Sequence, residues 1–160
     1  MIMNIFTLAI MMFVTASITT VAAQTNSSPR PISRNAGSMW TSGDVLGQNY
    51  MTKVSLSDVT NAPVWATNQD NPPLSMRQAE RLATKALAKT LGNVTGWERA
   101  DQIFVLWEYP GSLGQGYWIY EFQFRGPTYQ NSNGSTSQSS LTFFVMMSGK
   151  VVGPEPWKPK

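Results

Sequence analysis

The chain has 160 residues, 13% of them charged, and a net charge of +3, so there is room for one compact domain and little more. It contains neither cysteine nor histidine. That excludes disulfides, thiol chemistry and Ser-His, Cys-His or His-metal centres, and a charge this small and unclustered argues against nucleic-acid binding.

Met1 to Ala23 carries no charged side chain, and an apolar run from Ile5 to Val14 leads to Val21-Ala22-Ala23. Val21 and Ala23 fit the small-residue positions before a signal-peptidase cut, so residues 1–23 read as a signal peptide. The competing reading is an uncleaved anchor, but the apolar core is shorter than the roughly 20 residues a bilayer span needs. The expected product is exported, periplasmic or secreted, with no membrane span after cleavage. Residues 24–48 are rich in Ser, Asn, Thr, Pro and Gly and read as a flexible linker. Trp40 stands out there, to be docked on the domain or to mark a partner contact.

The domain is expected over residues 49–153. Tyr50 to Leu56 alternates weakly, as a short edge strand would, and Ser57 is placed to cap a single helical turn. Asn61-Ala62-Pro63 marks a break, followed by the apolar pair Val64-Trp65. The stretch from Asn71 to Gly92 predicts one amphipathic helix. Ser75 and Gln78 form a capping box, Ala79, Leu82, Ala83, Ala86, Leu87 and Leu91 line one face, and Gly92 ends it. Its other face carries Arg77, Arg81, Lys85 and Lys89, either a solvated side or a surface for an acidic partner or anionic headgroups.

Gln102 to Tyr109 is strongly β-prone, and a loop with three glycines follows at Gly111 to Gly116. Tyr117 to Arg125 alternates, with Trp118, Tyr120, Phe122 and Phe124 on one face. Residues 126–140 read as a long polar loop and Leu141 to Met147 as a third strand, turning at Ser148-Gly149 into Lys150-Val151-Val152. In the tail, residues 154–160, three prolines remove strand donors, leaving Trp157 as a pin. The predicted class is α+β: one long helix packed on a three- or four-stranded antiparallel sheet.

Carboxylates are the only plentiful acid–base groups, and Glu108 with Glu121, on neighbouring strands, form the pair a carboxylate hydrolase would need. Both also have Arg99 and Arg125 as surface partners. The rings of Trp118, Tyr120, Phe122 and Phe124 read as core, whereas Tyr109 and Tyr117 flank the glycine-rich loop as partner-contact candidates together with Arg77, Arg81 and Lys85. No catalytic residue, metal ligand or cofactor site is assigned.

Three pieces carry a resemblance: Leu74-Ser75-Met76-Arg77-Gln78-Ala79, Tyr120-Glu121-Phe122, and Val145-Met146-Met147-Ser148-Gly149-Lys150-Val151. They resemble the helix opening, central strand and final hairpin of the PepSY family of small exported, cystatin-like α+β domains. Val54 to Val59, Ala62 to Trp65 and Pro72 to Ser75 are similar to a group of secreted planctomycete and verrucomicrobial proteins. The acidic residue that the family often places before its last turn is replaced here by Met146 and Met147. The expected function is a non-catalytic exported module that binds a protein or peptide along an exposed strand edge. The resemblance implies the alternative, an inhibitor or regulator of an extracytoplasmic peptidase, and the carboxylate hydrolase is the third reading.

Overall fold

A single antiparallel sheet organises the chain in the computed structural model, which describes residues 38–65, 69–108 and 116–157. The expected signal peptide, the linker up to residue 37 and Tyr109 lie outside the described residues. In chain order the elements are β1 (Ser38–Val45), β2 (Gln48–Ser55), α1 (Leu56–Thr60), α2 (Met76–Leu91), β3 (Glu98–Glu108), β4 (Gly116–Gln130), β5 (Thr136–Met146), β6 (Val151–Val152) and β7 (Glu155–Pro156). The sheet runs β3-β4-β5-β1-β2-β7, with β6 paired to β5. This corrects the expected fold class. The described residues build seven strands and two short helices, not one long helix on three or four strands.

The extra strands come from segments whose side chains gave no apolar period. Residues 38–48, read as the end of the linker, form β1 and the turn of a hairpin with β2. Leu46 and Gly47 both have positive φ, 51° and 85°, the two-residue turn whose twist matches that of the flanking strands. Residues 126–140, read as a loop, are mostly ladder: Thr128, Tyr129 and Gln130 pair with Gln138, Ser137 and Thr136. Asn131 holds the tip, its Nδ2 donating to the hydroxyls of Ser135 and Ser137.

The tail does continue as a strand. The backbone N–H of Trp157 donates to Asn49 O, and Pro156 stands opposite Tyr50. Alternate residues bond β2, so the proline nitrogen faces the open side, where no donor is needed.

α2 forms where the sequence places it. Ser75 accepts from Gln78 N and the Gln78 side chain returns to Ser75 N, while Gly92 closes the helix at φ 74°. Ala79, Ala83 and Leu87 are its buried side. α1 is capped by Ser55, two residues before the serine expected, because Asp58 completes a box with Ser55.

β5 is the centre of the core. Leu141 through Met147 are all buried, so both faces of its pleat are covered. All but Thr142 share one cluster with Tyr120, Phe122 and Phe124 of β4, Met39 and Val54 of the first hairpin, Val59 of α1 and the buried side of α2. The hairpin approaches β5 closely: a Cβ on Gly43 would lie 2.2 Å from the Ser140 carbonyl oxygen, and Thr52 Oγ1 donates to Thr142 O at 2.7 Å.

Candidate functional site

β3 is an outermost strand of 11 residues, and among the described residues no strand pairs with its outer edge. An open edge of this length is a template for another chain unless it is blunted. Its first half is blunted. Glu98, Arg99 and Asp101 are charged, the ladder is irregular between Arg99 and Asp101, and Arg99 bonds Glu80 of α2 at 2.6 Å and Gln102 at 2.9 Å. Between Gln102 and the terminal Glu108 the strand has none of these devices. Ile103-Phe104-Val105-Leu106-Trp107 carries no charge, proline or glycine, and Ile103 to Leu106 are half-buried.

Aromatic rings hold this half in place. Phe104 stacks on Trp118 and Tyr120 across the β3–β4 ladder, with ring centroids 4.5 and 4.7 Å apart. Trp65 closes on both Phe104 and Trp118, at 5.6 and 5.5 Å, and donates its indole N–H to Gln69 O. Tyr120 donates its hydroxyl to Leu74 O at 2.7 Å, and burial pushes its phenol above the usual range. Ring contacts thus tie Phe104 of β3 to the β4 rings and to Trp65, so this part of the strand is packed before any segment pairs with it.

The residues singled out from sequence are not gathered in one place. Tyr117 is half-buried on β4 opposite Trp107, on the face away from Trp118. Arg77, Arg81 and Lys85 are exposed on α2, and among the described residues no hydrogen bond or ion pair engages them. Glu121 stands opposite Ile103 and Glu108 opposite Gly116. Five register positions separate them, about 17 Å along the ladder, against the roughly 5–9.5 Å that a glycosidase pair spans. The ladder does not place them opposite one another.

Sequence reasoning missed Trp65 as part of this cluster, although Val64-Trp65 stood out as an apolar pair. It also placed Trp40 either docked on the domain or at a partner contact, and Trp157 as the tail's pin. Trp40 is 53% exposed and Trp157 46%, and backbone pairing holds the tail instead. Among the described residues, no group of three His, Cys, Asp or Glu side chains could hold a metal, and no helix is long and apolar enough to cross a membrane. No family model matches the chain, and comparison with curated proteins and with solved structures returns no match.

Proposed function

We propose that the protein is an exported, non-catalytic module that captures an extended peptide segment of a partner protein by adding it as a strand to the outer edge of β3. One observation carries this reading: the edge is protected over Glu98–Asp101 and left bare over Ile103–Trp107. A protein that blunts half of an edge strand shows that blunting is available to it, and the uncharged half is where main-chain donors and acceptors meet apolar side chains. Peptidase inhibition rests on the family resemblance alone, and nothing in the site's geometry favours it.

The test is hydrogen exchange on the full chain with heptapeptides selected on it from a displayed library. The expected peptides alternate apolar and polar residues and slow exchange at the amides of Ile103 to Trp107. Val105→Lys, which places a charge in the bare half, weakens capture about tenfold or more. Protection mapping to another element, or equal capture by Val105→Lys, overturns the proposal.

A further inference from the structure

The outward face of β1, β2 and β7 carries a second surface, separate from the β3 edge. Trp40 stands opposite Lys53, Met51 stands between Ser42 and Glu155, and Trp157 lies beside Asn49. Successive residues of a strand alternate in direction, so these side chains share one face, and the buried Met39, Thr52 and Val54 share the other. Trp40, Met51 and Trp157 run diagonally across the three strands in two steps of about 7–8 Å each. Single exposed apolar residues need no explanation, but two indoles and a methionine in line, drawn from chain positions 117 residues apart (157 minus 40), form a patch.

Its size and charge select an occupant. Three strands by five residues is a backbone area of about 10 by 13 Å, far short of the roughly 800 Å² per side that a stable protein interface buries. A linear or small ligand fits it. Around the indoles stand Ser42, Asn49, Lys53 and Glu155, all exposed. The two charged groups among them are of opposite sign and cancel. Asp44, the remaining acid of this face, is bonded by Tyr129, whose phenol that carboxylate pushes up. The exposed side chains of this face therefore offer flat aromatic surface and hydrogen-bonding groups whose charges cancel, with the half-buried Asp44 carboxylate turned to Tyr129.

We infer that this face binds a neutral oligosaccharide, with the C–H faces of two pyranose rings stacked on Trp40 and Trp157 and ring hydroxyls paired with Asn49, Lys53 and Glu155. Indoles give a sugar's apolar face large contact area at low ordering cost, and the surrounding polar groups orient its hydroxyls.

The test is calorimetric titration of the full chain with cellohexaose, chitohexaose and maltohexaose, beside Trp40→Ala, Trp157→Ala and Trp40→Tyr. At least one hexasaccharide is expected to bind. Each alanine variant weakens it about tenfold or more, and Trp40→Tyr, which keeps a ring, retains part of the affinity. Both tryptophans are exposed, so circular dichroism spectra of the variants should match the parent, and a variant that does not match is read through Trp40→Tyr or Trp157→Tyr. No binding by any of the three at millimolar concentration, or binding indifferent to both alanines, overturns the inference. So does a concentration-dependent dimer in sedimentation that Trp40→Ala abolishes, which would assign the face to a second copy.

Discussion

The hydroxyl of Tyr120 is bonded to the carbonyl oxygen of Leu74 at 2.7 Å, joining the middle of β4 to the residue just before the α2 cap. The same ring stacks on Phe104 of β3, so one side chain links the helix entry to the open edge. Tyr120→Phe keeps the stack and removes the bond. It should cost about 1 kcal/mol in urea unfolding, with the m-value unchanged.

Gly43 tests the approach of the first hairpin to β5. Its would-be Cβ meets backbone, which cannot swing aside, so Gly43→Ala should destabilise by about 3 kcal/mol, the upper end of the usual cost of overpacking. Gly134 has φ +82° but nothing within 4 Å, so Gly134→Ala carries only conformational strain, about 1 kcal/mol. Thermal unfolding of the two variants side by side separates crowding from backbone preference.

The α1 cap gives a second contrast. Ser55→Ala removes the acceptor for Asp58 N and the partner of its carboxylate, and should cost about 1 kcal/mol. Among the described residues the Ser57 side chain bonds only Ser55 Oγ, at the surface. Ser57→Ala should stay within about 0.5 kcal/mol by the same chemical denaturation.

Asp58 also predicts an acid limb. Burial pushes its carboxyl up, but hydrogen bonds from Lys150 Nζ and from Ser55 outweigh that and bring it from 3.8 down to about 2. A carboxylate with a lowered native pKa binds fewer protons folded than unfolded. Its contribution is therefore complete above about pH 4 and is lost as pH falls toward 2. With Lys150 half-exposed and screened, the loss should be about 1 kcal/mol. Stability measured from pH 5 to pH 2 should decline less steeply in Asp58→Asn than in the parent.

How much of this could be read from the chain depends on where side chains face. α2 was legible because Ser75, Gln78 and Gly92 mark its ends and Ala79, Ala83 and Leu87 its buried side. The inner part of β4 was legible because Tyr120, Phe122 and Phe124 alternate with more polar positions. β1 was not, since among its residues only Met39 is fully buried and the outward Trp40 and Ser42 mimic a polar linker. The outer parts of β4 and β5 were not either, because ladder bonds and the Asn131 network sustain Thr128–Gln130 and Thr136–Gln138 with little burial on either face.

The candidate site divides the same way. That Ile103 to Leu106 belongs to a strand is a local property of β-branched and aromatic residues. That the strand is outermost depends on the sheet order, which sequence neighbours do not encode. Pairing across the sheet likewise brings Trp157 beside Asn49, a juxtaposition no periodicity announces.

The two ends of the sheet are unequal. At one end lies a two-residue strand with a proline directed outward, at the other an eleven-residue strand with a bare half. Growth of a fibre by stacking sheets needs an acceptor at both ends of every copy. On the proposed reading, a segment added at β3 meets in the next copy only the two-residue β7 with its outward proline, which opposes growth of the sheet from copy to copy.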